Sequence, residues 1–450
     1  MQRAIIFAAW VTSGIILSII VVRYVYYRFF NVIPSISYAY EWEEGPWLTW
    51  KESTRSSVCI NWYTPIISKG ELLLFENGSQ SRKVGKMNVN LHRICLSGLR
   101  ANTTYKYKII GLSNDDKTHK FRTSSSNTQD PFNFVVVGDS QNGGGYSKKN
   151  WAYPLLINAM VEMPFEFYVH VGDATDQGND LKSWHEFFKA SNQIFSEKPV
   201  LIAVGNHDTG TNMLKDPDGK KYPDEGANFD YLFDYPYQAP VGEGEITPFR
   251  GRYYHVRYNN ALLVFADTQN SKMAEPRNPQ WQYLDHILGS VADDVWKIVV
   301  IHRPQIFLRK DAKRSYHLDY SRFARYFLPI FVKHGVDVVF QGHGHYYANL
   351  NWKIGIHNPP FSLGNLENNP QKPIRFITSG GAGNVLRKND PLNASSIGID
   401  GYMKMENSSH YLLVKVDKNE IAIEARYPDN EILEKTVIGK NGSKAEILYD

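Results

Sequence analysis

The chain has few cysteines and almost no net charge. Only two of its 450 residues are Cys, and neither lies in the polar motifs described below, which argues against a structural zinc site. Lys and Arg number 50 against 46 for Asp and Glu, and the resulting charge of +4 gives no reason to expect a nucleic-acid partner. No low-complexity tract, internal repeat or highly charged polar segment is present, so we expect a folded chain of two or more domains.

The first thirty residues are set apart by an uncharged apolar run. Residues 4–22 contain no charged side chain and, as a helix rising about 1.5 Å per residue, would reach roughly 28 Å, close to the hydrocarbon thickness of a bilayer. Aromatic residues, Arg23 and Arg28 follow the run, whereas a cleaved signal peptide would end in small residues. We therefore predict a transmembrane anchor over residues 1–30 and a linker over residues 31–44.

Residues 45–125 alternate apolar and polar side chains in short segments, which is typical of an all-β domain. On one of these strands a period of two places Ile60 and Trp62 in the core. Cys59 and Cys95 fall on the opposite faces of their own strands from the core. If the two strands are neighbours, a cross-strand disulfide is feasible and would imply an oxidising compartment. Two unpaired thiols are an equal alternative.

From residue 132 onward the pattern changes to buried strands that alternate with helices and loops, which indicates a layered α/β domain. Residues 209–228 form a long polar loop that we interpret as an exposed insertion. The predicted strands are residues 134–137, 167–171, 200–204, 261–266, 298–301, 336–340 and 374–378.

Five of these strands end in a polar cluster. Each cluster alone is a weak signal, because Gly-Asp after a strand is often only a turn. Together they bring carboxylate, amide and imidazole groups to the carboxyl edge of the sheet, and these are the ligands of divalent metals. The clusters are Gly138-Asp139-Ser140-Gln141, Gly172-Asp173-Ala174-Thr175-Asp176, Gly205-Asn206-His207-Asp208, Ile301-His302 and Gly342-His343-Gly344-His345.

This ordered series resembles the motifs of the calcineurin-like metallophosphoesterase superfamily: Asp-X-His, Gly-Asp-X-X, Gly-Asn-His-Asp/Glu, His and Gly-His-X-His. The likeness spans about residue 132 to the C-terminus. Residues 99–107 resemble a strand entry of fibronectin type III domains, and this order of modules is similar to purple acid phosphatases. The resemblance implies an α/β layered metallophosphoesterase domain over residues 130–450, with a β-sandwich core flanked by helices. An all-β fibronectin type III-like sandwich over residues 45–125 and the transmembrane helix would precede it.

The resemblance also implies a role for each motif residue. Asp173 would bridge two metal ions (Fe, Mn or Zn), and a hydroxide shared by the ions would attack phosphorus. The remaining ligands would be Asp139, Gln141 and His345 for the first ion and Asn206, His302 and His343 for the second. His207 would act as general acid, oriented by Asp208. Apart from the resemblance, Arg303 directly follows the proposed ligand His302 and is a better candidate than His317 for a contact with the substrate phosphate.

Two positions depart from the purple acid phosphatase pattern. Asp176 stands where that family has a tyrosine ligand to ferric iron, so no purple colour is expected. Gln141 stands where the wider superfamily often has His. Because an amide oxygen is a weaker and harder ligand than imidazole, the identity of the first metal stays open.

Three functions are compatible with this reading of the sequence. The leading hypothesis is an acid phosphatase-like phosphomonoesterase with a dinuclear metal centre, anchored in a membrane by a single pass with its catalytic domain outside the cytoplasm. Phosphodiesterase activity on the same core is a close alternative. The third is a catalytically inactive cell-surface binding protein. Lost ligands would be the mark of that third function, yet every ligand position carries a coordinating residue.

Overall fold

The structure is a computed structural model, and all the residues it describes belong to one compact unit, Glu41–Asp450. The described residues are 42–76, 78–113, 116–141, 152–209, 226–236, 251–269, 274–276, 278–310, 316–354, 356–357, 359–364, 366, 372–383, 392–393, 401–440 and 447–448. Most of the predicted insertion, residues 209–228, lies outside them.

The described residues form strands in three larger sheets and one hairpin, together with five helices. The strands are β1 Glu44–Thr49, β2 Val58–Glu76, β3 Ser79–Leu96, β4 Thr104–Ile110, β5 His119–Arg122, β6 Phe132–Val137, β7 Phe167–His170, β8 Val200–Ile202, β9 Tyr254–Tyr258, β10 Ala261–Ala266, β11 Trp296–Ile301, β12 Ile306–Lys310, β13 Tyr316–Tyr320, β14 Val338–Gln341, β15 Tyr347–Trp352, β16 Ile374–Ser379, β17 Leu392–Asn393, β18 Tyr402–Glu406, β19 Tyr411–Val416, β20 Glu420–Arg426, β21 Ile432–Gly439 and β22 Ile447–Leu448. The helices are α1 Ala152–Val161, α2 Leu181–Phe195, α3 Ala227–Leu232, α4 Pro279–Gly289 and α5 Ala324–Lys333.

Strands β1 to β5 form an antiparallel sheet that we call the N-terminal sheet. The long strand β2 changes partners along its length: its first part pairs with β1, its last part pairs with β4, and β3 follows it throughout. Ile60 and Trp62 are buried in the core of this sheet, as predicted. Cys59 lies opposite Cys95 in the β2–β3 ladder, and the two form a disulfide. The choice between a disulfide and two free thiols, open from sequence, is thereby decided.

Two further sheets carry the rest of the fold. One has seven strands in the order β22-β21-β20-β19-β6-β7-β8, and the other has eight in the order β17-β18-β15-β16-β14-β11-β10-β9. Neighbouring strands β6, β7 and β8 are parallel, as are β10, β11, β14 and β16. Their near-continuous apolar runs are typical of parallel strands covered on both faces. All seven strands predicted from the sequence are present, which confirms the sheet-rich layered architecture.

Helix α2 joins the N-terminal sheet to the seven-stranded region. The Asp180 side chain caps its first turn by accepting a hydrogen bond from the Lys182 backbone N–H at 3.2 Å. Apolar side chains at helical spacing form its buried face. One of them, Phe188, packs on Trp47 of β1 with ring centroids 4.5 Å apart. The two regions therefore share a continuous apolar contact.

The prediction of a single-pass membrane anchor with an extracytoplasmic catalytic domain is wrong. No helix in the described ranges is long and apolar enough to cross a bilayer. The longest helix there, α2, has 15 residues, whereas a span needs about 20 apolar ones. The predicted anchor, residues 1–30, and residues 31–41 of the predicted linker lie outside the described part of the chain. The predicted membrane partner is not supported either.

Candidate metal centre

The structure brings all seven predicted metal ligands together between the two large sheets. Three of the loops that carry them follow β6, β7 and β8 of the seven-stranded sheet, and two follow β11 and β14 of the eight-stranded sheet. Carboxyl ends of parallel strands from both sheets thus converge on one region. We call this group the ligand cluster; its members are Asp139, Gln141, Asp173, Asn206, His302, His343 and His345.

His302 is the centre of one half of the ligand cluster. Its Nε2 lies 3.2 Å from Asp173 Oδ2, 3.1 Å from Asn206 Oδ1 and 3.3 Å from His343 Nδ1. On the other side of the ring, Nδ1–H donates to the Val171 carbonyl at 3.0 Å. This hydrogen bond fixes the tautomer, so the Nε2 lone pair faces the cluster as a metal ligand requires.

Gln141 and His345 form the other half of the cluster. Gln141 Nε2 lies 3.3 Å from Asp173 Oδ2 and 3.2 Å from His345 Nε2. His345 Nε2 in turn lies 3.4 Å from Asp139 Oδ1. The Asp173 atom Oδ2 is therefore close to donor atoms of both halves, which is the geometry expected of a carboxylate shared by two ions.

The donor set fits metal ions by two independent observations. In the described part of the chain the buried atoms Asp139 Oδ1 and Gln141 Oε1 have no hydrogen-bond partner, although His345 Nε2 lies 3.4 Å from Asp139 Oδ1. Buried acceptors are ordinarily satisfied. Two ligand atoms that bind one ion at about 2.1 Å, at tetrahedral or octahedral angles, lie about 3.0–3.4 Å apart. The separations within the cluster agree with that range. Rotation of the Gln141 amide by 180° exchanges its two terminal atoms and points the oxygen at Asp173 and His345.

The cluster concentrates negative charge in a buried place. Burial disfavours a charged imidazole, yet the carboxylates of Asp173, Asp139 and Asp208 together raise the pKa of His302 to about 9. Burial likewise opposes ionisation of Asp173, but His302 and then His207 lower the pKa of its carboxyl. The carboxylates thus favour positive charge at this point, and a metal ion would supply it while His302 stays neutral with its Nε2 lone pair free to bind.

Three members of the cluster have an unusual backbone conformation. Asp139, Asp173 and His343 have φ angles of 58°, 56° and 65°, in the left-handed region that costs a non-glycine residue of order 1–3 kcal/mol. The loops that carry Asp173 and Asn206 also pack so closely that only glycine fits at position 205. A Cβ on Gly205 would lie 2.1 Å from the Asp173 backbone nitrogen. Strain that persists in this way is typical of sites where geometry serves function.

His207 lies beside the cluster but is held differently from the prediction. Its Nδ1 donates to the Asp176 carbonyl at 2.9 Å, and its Nε2 lies 3.9 Å from Asp173 Oδ2. Within the described structure, the Asp208 carboxylate does not bond to the His207 ring. The Asp208 carboxylate instead accepts backbone N–H groups at 2.8–3.2 Å from Gly205 and from residues 173–175. Asp208 therefore fixes the two ligand loops rather than the imidazole.

Arg303 points its guanidinium at the cluster. Its NH1 lies 3.4 Å from His343 Nε2, its Nε donates to Gln269 Oε1 at 3.1 Å, and its backbone N–H donates to Thr268 Oγ1 at 2.8 Å. We did not predict a site role for Thr268 or Gln269. Both lie within three residues of the end of β10, so the rule that polar residues at strand exits meet at one edge would have indicated them.

Comparison with known families agrees with this geometry. Residues 132–347 match the family model of the calcineurin-like phosphoesterases. The chain therefore contains a calcineurin-like metallophosphoesterase domain. All five motifs of the metallophosphoesterase fall inside the matched range, which confirms the family resemblance inferred from them. This class and the purple acid phosphatases use dinuclear centres of Fe, Zn or Mn, in agreement with the predicted pair of ions.

The metallophosphoesterase is also similar to individual acid phosphatases. It is 23% identical over 402 residues to acid phosphatase type 7 of Mus musculus, covering 83% of this chain and 84% of that protein. Probable inactive purple acid phosphatase 27 of Arabidopsis thaliana is 23% identical over 60% of this chain and 46% of that protein. The structure of purple acid phosphatase PPD1 from yellow lupin (Lupinus luteus) seeds aligns with a TM-score of 0.68 at 16% identity. That alignment covers 88% of this chain and 74% of the lupin chain and shows a shared fold.

Proposed function

We propose that this metallophosphoesterase hydrolyses phosphate monoesters at the ligand cluster. The observation that carries the proposal is the position of Asp173 Oδ2, which lies 3.2 Å from His302 Nε2 and 3.3 Å from Gln141 Nε2. One shared carboxylate between two sets of donors supports a pair of metal ions, which would activate a water for attack on phosphorus. The similarity to the mouse acid phosphatase along most of both chains favours monoesters over diesters.

Seven side chains would hold the two ions. When bound, the ions would supply a nucleophile at moderate pH and neutralise charge on the phosphoryl oxygens. In this assignment Asp173 serves both ions. Asp139, Gln141 and His345 complete the first set, and Asn206, His302 and His343 complete the second.

Two cationic or proton-carrying side chains would act on the substrate. Since the Nδ1–H of His207 is bonded to the Asp176 carbonyl, its Nε2 is the atom left to give a proton to the departing alkoxide. Arg303, held by Gln269, would bind a non-bridging phosphate oxygen beside His343. A monoester dianion presents more charge to such a guanidinium than a diester monoanion does.

The N-terminal sheet is proposed to be a fibronectin type III-like domain over residues 45–125, with the metallophosphoesterase domain over residues 130–450. The two sets of partners along β2 support this assignment, because they would split the strand into members of two sheets of a sandwich. The Tyr105 hydroxyl, which accepts the Arg100 backbone N–H at 2.9 Å, resembles the tyrosine corner of such domains.

A catalytically inactive binding protein is the second candidate. The similarity to a probable inactive purple acid phosphatase of Arabidopsis thaliana favours it. Gln141 also favours it, because imidazole at that position would bind metal more strongly. Metal content and turnover separate the two candidates.

The test uses the full chain loaded with Mn, Zn or Fe. We expect about two ions per chain and faster release of p-nitrophenol from p-nitrophenyl phosphate than from bis(p-nitrophenyl) phosphate. Asp173→Asn should lose metal and turnover. The control Asp285→Asn should keep both, because it alters only the surface contacts of Asp285, among them its ion pair with Lys333. A folded wild-type chain that holds no metal and turns over neither ester would contradict the proposal and favour the binding protein.

A further inference from the structure

We infer that Arg93, on β3 of the N-terminal sheet, is a positioning residue for His207 and acts through helix α3. This inference rests on the catalytic role proposed for His207. It assigns the N-terminal sheet a part in the chemistry.

The first step is the contact between Arg93 and the end of α3. Arg93 NH2 donates to the carbonyls of Leu232 at 3.1 Å and Tyr231 at 3.3 Å, and NH1 donates to Asp234 Oδ2 at 3.1 Å. The last carbonyls of a helix have no partners within it, so the guanidinium satisfies groups that would otherwise need water. Arg93 Nε donates to Asn61 Oδ1 at 2.9 Å, which fixes the side chain to the N-terminal sheet.

The second step leads from the start of α3 to His207. Asn228 Nδ2 donates to the Gly178 carbonyl at 3.0 Å, and the Gly178 backbone N–H donates to the His207 carbonyl at 2.7 Å. Two residues earlier, the Asp176 carbonyl accepts from His207 Nδ1 at 2.9 Å. The segment 176–178 therefore holds His207 by both its backbone and its ring.

This segment has little freedom to adjust on its own. A Cβ on Gly178 would lie 1.7 Å from the Asp208 carbonyl oxygen, so the chain on either side is in close contact. Helix α3 has six residues, too short to be stable without tertiary contacts. A shift of its end by the loss of Arg93 would therefore be passed to Asn228 and from there to the segment that holds the imidazole.

Arginine suits this position better than lysine. Its planar fork reaches two carbonyls, a carboxylate and an amide oxygen at once, whereas a lysine ammonium is a single point charge. Lys51 already contacts Asp234, so the charge on Asp234 keeps a partner when Arg93 is replaced. The specific loss is the contact with the helix carbonyls.

The kinetic test compares Arg93→Met with the matched control Arg100→Met. Arg100 lies on the same domain and pairs with Glu76 at 2.8 Å, with 62% of its side chain exposed. We expect Arg93→Met to lower kcat about tenfold with KM changed less than about twofold, because a small misplacement of a proton donor acts on the transition state. Arg93→Lys should recover part of the loss, and Arg100→Met should match the wild type. Equal kcat in Arg93→Met and Arg100→Met would overturn the inference.

A double-mutant cycle with Asn228→Ala tests whether the two contacts form one path. If Arg93 acts through α3, the double variant should be little slower than the worse single variant. Losses that multiply would show two independent effects and would overturn the path.

Hydrogen exchange supplies a readout that does not require activity. The Gly178 amide, bonded to the His207 carbonyl, should exchange faster in Arg93→Met and unchanged in Arg100→Met. Arg93→Lys serves the same comparison if Arg93→Met does not fold. Should the wild type show no turnover at all, the proposed function fails while the exchange data still decide the positioning role. Unchanged exchange at Gly178 would contradict it.

Discussion

The N-terminal sheet and the ligand cluster are held together by different means. In the N-terminal sheet a β ladder, a disulfide and an aliphatic and aromatic core satisfy the chain locally. In the ligand cluster, carboxylates and imidazoles are buried next to one another on loops with left-handed backbone. Of the six non-glycine residues with positive φ in the described chain, three are cluster members, and only Asn102 lies in the N-terminal region. The comparison teaches that one region is stabilised by its ladder, its disulfide and its apolar core, whereas the other leaves ligand atoms for metal ions to satisfy.

Removal of metal should have the largest effect, and that effect should fall on turnover at the ligand cluster. Exhaustive chelation of the metal-loaded chain should lower turnover by at least about 10³-fold, because the nucleophile and several kcal/mol of charge stabilisation depend on the ions. The thermal midpoint should fall as well, since metal binds only the folded cluster. Turnover and calorimetry before and after chelation check this, with re-addition of Mn or Zn as the control. Turnover that survives chelation would contradict a metal-dependent site.

Loss of the disulfide should affect the other region alone. The double substitution of Cys59 and Cys95 by Ala opens a link across a sequence separation of 36 and should lower the free energy of unfolding by about 3 kcal/mol. Denaturant titration measures the change. Metal content and kcat of the folded fraction should match the wild type. A loss of bound metal in this variant would show that metal binding depends on the disulfide of the N-terminal sheet.

Asp208→Asn gives the smallest expected effect and distinguishes the predicted role of Asp208 from the observed one. An amide has one acceptor oxygen where the carboxylate has two, so part of the backbone N–H network of the two ligand loops would lose its partner. We expect metal affinity to fall about 10–100-fold, the usual cost of losing a group that supports ligands. Calorimetric metal titration checks this. A lower kcat with unchanged metal affinity would instead favour the role of orienting His207.

Much of the site could be predicted from the sequence because its ligand residues come just after buried strands. A run of apolar residues identifies a buried parallel strand, and the polar residue after it must lie at the carboxyl edge. This reasoning placed Asp139, Asp173 and His302 correctly in one cluster. It depends only on short-range pattern and the common geometry of parallel sheets.

The remaining features depend on contacts between residues far apart in the chain. Asp208 was expected to orient its neighbour His207, yet its carboxylate bonds to a loop more than thirty positions earlier. The link from Arg93 to Leu232 spans 139 positions. Neither separation leaves a periodic signal in one sequence. The disulfide was left open for the same reason, since strand pairing decides it and sequence spacing does not.

The left-handed backbone of Asp139, Asp173 and His343 restricts which amino acids can replace them. Asn, Asp and His are the non-glycine residues most tolerant of this conformation, and β-branched residues are the least. The same short list contains the side chains that bind divalent cations. In a saturation library, Val or Ile at these codons should therefore reduce the yield of folded protein even under selection for expression alone. The folding requirement of the turn would by itself keep metal-binding residue types at these positions.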